Sequence, residues 1–287
     1  MVKMKRVITG ISIIAVLSSI LSACLGIFFT NGGTTRIVEN IYGQQIELYG
    51  DGIYANNSLL KVGATKGTDV AIICIGLMLL VIILAFRNWK AGMLVQTGLL
   101  SIILYASACL IMGVSFNRLF LIYVLQFGSS FFAFVLSLQY IIRTETFIQS
   151  VYEKHFTGTG IFLIISGCSV LVWLTSILPA VITGQPMDLI EIYTTEPTFA
   201  IDLAIILPST IFCGIMLLKR KRIGYKLAPV LLVLLAGVGI CVIFQTIFQI
   251  SLGIILPIGQ LSGLVGTFII LGIFAVVLNI RLIKYVK

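Results

Sequence analysis

Charge is scarce in this chain, and its absence comes in blocks. Only 10% of the 287 residues are Asp, Glu, Lys or Arg, against about 25% in an ordinary soluble domain. Residues 7–29, 70–86, 91–117, 119–142, 156–187, 203–218 and 227–280 carry none. Such stretches do not make a hydrated surface, whereas about 20 apolar residues in a helix cross a bilayer. The alternating apolar and polar pattern of a membrane barrel strand is missing as well, which leaves the helix to satisfy the backbone in lipid. The last uncharged run, 54 residues, is too long for one crossing and breaks at Leu256-Pro257-Ile258-Gly259-Gln260. The expectation is an all-α polytopic membrane helix bundle with eight transmembrane helices over 7–29, 69–86, 92–113, 119–141, 160–182, 198–218, 228–254 and 260–282.

Other absences narrow the chemistry. His155 is the single histidine, and nothing near it in sequence completes a proton relay. The six cysteines (Cys24, Cys74, Cys109, Cys168, Cys213 and Cys241) all fall inside apolar spans, so no disulfide framework is expected and each acts as a small hydrophobe. With one histidine, a zinc site is not expected. There is no phosphate-binding glycine loop, HExxH, nucleophile elbow, dinucleotide fingerprint or CxxC. Neither a catalytic residue nor a cofactor is expected, and an enzyme acting on lipid is the least favoured class.

The charges that are present mark orientation. Lys3, Lys5, Arg6, Arg87, Lys90, Arg143, Lys154, Lys219, Arg220, Lys221, Arg222, Lys226, Arg281, Lys284 and Lys287 fall on one side of the alternating spans. Arg36, Lys61, Lys66 and Arg118 fall on the other. The side with more Lys and Arg is the cytoplasmic one, so both termini are expected there. The net charge of +9 is then a topology signal and not a nucleic-acid footprint. The lipid bilayer is the expected partner, with anionic headgroups near Lys219, Arg220, Lys221 and Arg222; no protein partner is legible. Leu21-Ser22-Ala23-Cys24 is similar to a bacterial lipobox, but the apolar run continues through Phe29, beyond the core of a cleaved signal. An uncleaved first helix is expected.

Residues 31–68 form the only sizeable outer loop. Gln45 to Tyr49 alternates, Gly50-Asp51-Gly52 suits a tight turn, and Ile53-Tyr54 follows, which predicts a small β-hairpin cap. Residues 143–159 put Phe147, Ile148, Val151, Tyr152 and Phe156 on one helical face, predicting an inner interfacial linker. The domain reading is a first four-helix half over 1–142, this linker, and a second half over 160–287. The second outer loop, 184–197, is acidic: Asp188, Glu191 and Glu196.

Polar residues inside apolar helices need partners and point into a bundle. Cys241, Gln245 and Gln249 form one such stripe, and Ser101, Tyr105 and Cys109 another. Gly259 and Gly263 make a GxxxG that predicts close helix approach. Asp69-Val70-Ala71-Ile72-Ile73 and Asp202-Leu203-Ala204-Ile205-Ile206 lie 133 residues apart. With matching basic turns at 87–90 and 219–222, they suggest a parallel duplication of four helices. Asp69 and Asp202 would then occupy equivalent outer helix ends.

Several passages resemble a group of uncharacterised multispanning bacterial membrane proteins. They are Tyr49-Gly50-Asp51-Gly52-Ile53-Tyr54, Gly67-Thr68-Asp69, Asn117-Arg118-Leu119-Phe120-Leu121-Ile122-Tyr123, and Thr195-Glu196-Pro197-Thr198 through Ile206, with Lys219 to Tyr225 beyond. The resemblance covers most of the chain and implies a bacterial plasma-membrane protein; it carries no activity. From the residues, the leading expectation is a transporter-like or small-solute-binding protein with a site at the outer face. Asp69, Asp202, Glu196, Arg118, Gln245, Gln249, Glu47 and Asp51 are its candidate ligands. The alternative is a non-transporting sensor or assembly partner presenting the 31–68 loop.

Overall fold

The computed structural model describes residues 2–86 and 89–286. Arg87 and Lys287, among the basic residues used above, lie outside the described residues, as do Asn88 and the side chains of Asp188 and Gln260. Among the described residues, eight helices are long and apolar enough to cross a membrane. They are α1 (Val2–Phe28), α2 (Leu59–Leu84), α3 (Gly92–Gly113) and α4 (Phe120–Arg143), then α5 (Thr157–Thr183), α6 (Pro197–Leu218), α7 (Arg222–Ser251) and α8 (Leu261–Ile283). A two-stranded antiparallel sheet, β1 (Arg36–Glu39) and β2 (Gln45–Leu48), precedes α2. The molecule therefore has a hairpin end and a basic end, the latter carrying the α4–α5 and α6–α7 connections.

The core is largely apolar, and the polar side chains of α1 and α4 turn into it while large apolar side chains cover the outside. On α1, Ser12, Ser18, Ser19 and Ser22 are buried while Val7, Ile14, Leu17 and Leu21 are exposed. On α4, Gln126, Ser129, Ser130 and Ser137 are buried while Leu121, Phe132 and Val135 are exposed. Ser18, Ser19, Ser129 and Ser130 spend their hydroxyls on carbonyls one turn back, as Ser19 does on Ala15 (2.7 Å), and Ser22 donates to Gln126 Oε1 (2.7 Å). Small, self-satisfied side chains let α1 and α4 approach closely.

Glycine sets the other close approach. Gly63 and Gly67 of α2 lie against the backbone of Gln249 and Gln245 of α7, and a β-carbon at either position would collide with it. Among the described residues, a β-carbon at Gly259 or Gly263 of the predicted GxxxG would meet nothing within 4 Å. That expectation is corrected: the spacing is right, but these two glycines are not at a close helix contact.

Three sequence boundaries also move. α2 begins at Leu59, ten residues before the expected start, with the Ser58 hydroxyl accepting from the Lys61 N–H (3.3 Å). Lys61, Gly63, Lys66 and Gly67 looked like loop, yet both lysines find polar partners at the helix end and both glycines pack. The hairpin pairs Gln45–Leu48 with Arg36–Glu39 upstream, Arg36 opposite Leu48, and not with Ile53-Tyr54. Its turn is made by Asn40, whose Oδ1 accepts from the N–H of Tyr42 and Gln44 (2.9 Å each), an Asx turn. The 143–159 linker is not one amphipathic helix. It holds a single 3₁₀ turn, Gln149–Glu153, and Phe147 pairs with Val286 as an isolated bridge. Phe147 and Val151 are buried in protein, while Ile148 is exposed.

At the basic end, Lys226 is withdrawn from the cationic cluster. Its ammonium donates to the carbonyls of Ile142 (2.8 Å) and Thr144 (2.7 Å), neutralising the orphan acceptors where α4 ends. Arg222 pairs with Glu145 (2.9 Å), and Arg220 contacts His155.

Candidate functional site

Between the helices lies a cavity of about 290 Å³ that starts at the hairpin end. Five of the eight candidate residues line it: Asp69, Asp202, Glu196, Gln245 and Gln249. They come from α2, from α6 and the residue that caps it, Glu196, and from α7.

Asp69 lies ten residues into α2 and not at its mouth, about 15 Å along the helix at 1.5 Å per residue. It is 4% exposed. The Tyr54 hydroxyl reaches down from the loop and donates to its Oδ2 (2.8 Å). Burial and the nearby Asp69 carboxyl push the Tyr54 phenol well above its ordinary value, so Tyr54 keeps its proton and remains a donor. Gly26 of α1 makes room for this pair, because a β-carbon there would meet the Tyr54 hydroxyl (2.5 Å) and Asp69 Oδ2 (2.6 Å).

Asp202 sits in a widened turn of α6, Asp202–Ile206, where the Leu207 N–H reaches the Asp202 carbonyl. Pro208 explains the widening: it has no N–H for the Ala204 carbonyl, so the regular ladder is interrupted there. Such π turns recur at functional positions. Asp202 is 6% exposed, and it accepts from Tyr105 Oη at Oδ1 (3.0 Å) and from Trp173 Nε1 at Oδ2 (2.8 Å). Trp173 stacks on Phe199 with ring centroids 4.7 Å apart and lies nearly parallel to Phe268 at 6.3 Å. All three rings line the cavity.

The polar stripes meet the same space. Gln245 donates to the Thr68 hydroxyl (2.8 Å), and Cys241, Tyr105 and Cys109 are lining residues. Ser101 is spent on the Gly98 carbonyl (2.6 Å) and does not line it.

Charge gathers at the rim. Lys61 pairs with Glu196 (2.6 Å) and lies over the Tyr193 ring at 4.8 Å. Glu191 accepts from Ser58 Oγ, and its carbonyl accepts from Asn40 Nδ2 (2.7 Å). One residue thus ties the second loop to the hairpin turn and to the start of α2. It does so with φ at 47°, a left-handed conformation that costs a non-glycine residue on the order of 1–3 kcal/mol. Burial holds the Glu191 carboxyl above its ordinary value, although the Ser58 hydroxyl opposes this.

Comparison with protein families, curated proteins and solved structures finds no match. The chemistry of the site rests on its own geometry.

Arg118, Glu47 and Asp51 are not cavity residues. Arg118 and Glu47 are exposed, Glu47 on β2 opposite Ile37. Asp51 is structural: its Oδ1 accepts from the N–H of Asn31 (2.8 Å) and Gly32 (3.0 Å), and the Asn31 bond holds its carboxyl below the ordinary value. These three shared a sequence neighbourhood with the site but not a direction. Sequence reasoning missed Tyr54, Tyr105, Trp173 and Lys61 as partners of the acids. Tyr105 was visible on a polar stripe; the others sit in segments whose helical or loop register only the fold reveals. Among the described residues, no group of three His, Cys, Asp or Glu side chains is placed to hold a metal.

Proposed function

We propose that this chain is a multi-pass protein of a bacterial plasma membrane, with both termini cytoplasmic, and that it binds and moves a small solute through the cavity below the hairpin. The observation that carries the reading is the convergence of Asp69, Glu196, Asp202, Gln245 and Gln249 on one interior space. Polar and acidic groups at that depth are costly in lipid and serve a pathway or a ligand more readily than packing. The apolar outer faces, with buried polar side chains turned inward, support membrane embedding, and the distribution of Lys and Arg supports the orientation.

Neighbour relations support a duplicated architecture. α1 lies beside α2 as α5 lies beside α6; α3 packs on α4 as α7 packs on α8; α2 meets α3 as α6 meets α7. The broad α1–α4 packing has a slight counterpart in Phe162 near Phe274, between α5 and α8. The two acids then stand at equivalent points of two parallel repeats, as in transporters whose site lies where the repeats meet. Exposed Lys219 and Arg220 remain suited to anionic headgroups.

A second reading has one observation in its favour: Ile41, at the hairpin tip, is 90% exposed and stands near exposed Ile37 and Tyr42. An apolar tip suits a sensor or assembly partner that presents the hairpin.

Thermal unfolding in detergent across a metabolite panel, for wild type and Asp202→Asn, tests the first reading. A solute at 100 times its Kd stabilises by about 2.7 kcal/mol; the expected result is such a shift in wild type and its loss in the variant. Absence of any shift, together with loss of function on hairpin deletion alone, supports the second.

A further inference from the structure

We infer that the solute is an organic ammonium ion, seated between the Asp202 carboxylate and the rings of Trp173, Phe199 and Phe268. This rests on reading the cavity as a solute site and names its ligand class.

Three observations carry it. The first is sign. Among the described residues, the carboxyl groups lining the cavity are Asp69, Glu191, Glu196 and Asp202, and the lining cation is Lys61. Lys61 is already paired with Glu196. Lys66, the other lysine near the mouth, is turned to the Tyr49 hydroxyl (3.0 Å) and ring. The space is therefore electronegative and disfavours an anionic solute.

The second is the kind of partner each acid has. The side-chain donors to Asp69 and Asp202 are a phenol, a phenol and an indole, all neutral. Among the described residues neither acid is in an ion pair. Neutral donors orient a carboxylate but do not balance its charge, and an unbalanced charge in a low-dielectric interior is expensive. At Asp202 both oxygens already accept, and the indole N–H has no other role than to donate. That arrangement suits the ionised form, which a bound cation completes.

The third is the shape of what surrounds Asp202. A metal ion needs a set of oxygen or nitrogen ligands, and no cluster of three acidic, His or Cys side chains is formed among the described residues. Beside Asp202 the walls are aromatic instead. One carboxylate with stacked rings suits an ammonium group on a carbon skeleton, since ring faces attract cations and take up their alkyl substituents. A volume of about 290 Å³ lies at the small end for ligand pockets, which points to a compact amine.

The test uses three probes that share a ring and differ in charge: benzylamine, benzyl alcohol and benzoate. The chain has two tryptophans, so a Trp89→Phe protein reports on Trp173 alone by fluorescence. Purified full-length protein in detergent is titrated with each probe at neutral pH. The expected result is saturable change with benzylamine, at least tenfold weaker binding of benzyl alcohol, and none with benzoate. In the same background Asp202→Asn lowers benzylamine affinity at least tenfold and leaves benzyl alcohol unchanged. The comparison among probes in the Trp89→Phe protein stands even if Asp202→Asn fails to fold. Equal or tighter binding of benzyl alcohol or benzoate overturns the ammonium assignment while leaving a solute cavity in place. Silence with all three probes, together with no stabilisation by any metabolite in the thermal panel, overturns both.

Discussion

At the residue scale, Glu191 joins more structure than its position in a short loop suggests. It holds the hairpin turn through Asn40 and the start of α2 through Ser58, and it does so in a left-handed backbone conformation. Burial raises its carboxyl above the ordinary glutamate value of 4.5. The folded protein therefore keeps this proton to higher pH than the unfolded chain does. The associated stability is fully present below pH 4.5 and is lost as pH rises through the raised folded value. Glu191→Gln removes this titration. Melting temperatures of wild type and variant, measured from acid to neutral pH, should converge at the acid end and separate as pH rises, wild type falling more. Parallel curves would show that Glu191 is not a pH-dependent element of the rim.

At the scale of elements, the join between α2 and α7 forms one wall of the cavity. Gly63 and Gly67 bring α2 onto the backbone of α7 beside Gln249 and Gln245, and the same contact aims Gln245 at Thr68. Gly67→Ala places a β-carbon into that backbone, and overpacking of this kind costs about 1–3 kcal/mol. Gly263→Ala meets open space and should change the melting temperature little or raise it, since alanine favours a helix by about 1 kcal/mol over glycine. Thermal unfolding of the two single variants in one detergent makes the comparison. Equal destabilisation by both would refute the assignment of the close contact to α2 and α7.

At the scale of the whole molecule, the eight helices sort charge to their ends. If the basic end is cytoplasmic, a cysteine at the hairpin tip and one on the opposite connection must differ in access. Tyr42→Cys should react with a membrane-impermeant maleimide in intact cells, and His155→Cys only after the membrane is opened. The native cysteines lie within the helices, but Cys109 and Cys241 line the cavity, so labelling is read against the protein without the added cysteine. The reverse pattern would invert the topology, and with it the side from which a solute reaches the cavity.

How much of this was legible beforehand differs between levels for physical reasons. Long uncharged runs determined eight helices, because a lipid-soluble segment has to satisfy its own backbone. Local chemistry determined where several end: Pro197 opens α6, and Gly253, with φ at 81°, closes α7. The stripe of Gln245 and Gln249 pointed inward because amides avoid lipid. The start of α2 was misread because lysines and glycines look like a loop until α7 and Glu196 are beside them. Only the tertiary structure decided that Tyr54, in the loop before α2, is the partner of Asp69, and that Trp173 faces Asp202. Those pairings depend on the rotation of each helix about its own axis and on the path of the loop across the bundle. Both are set by many weak contacts between segments far apart in sequence, whereas hydropathy is a property of each segment alone.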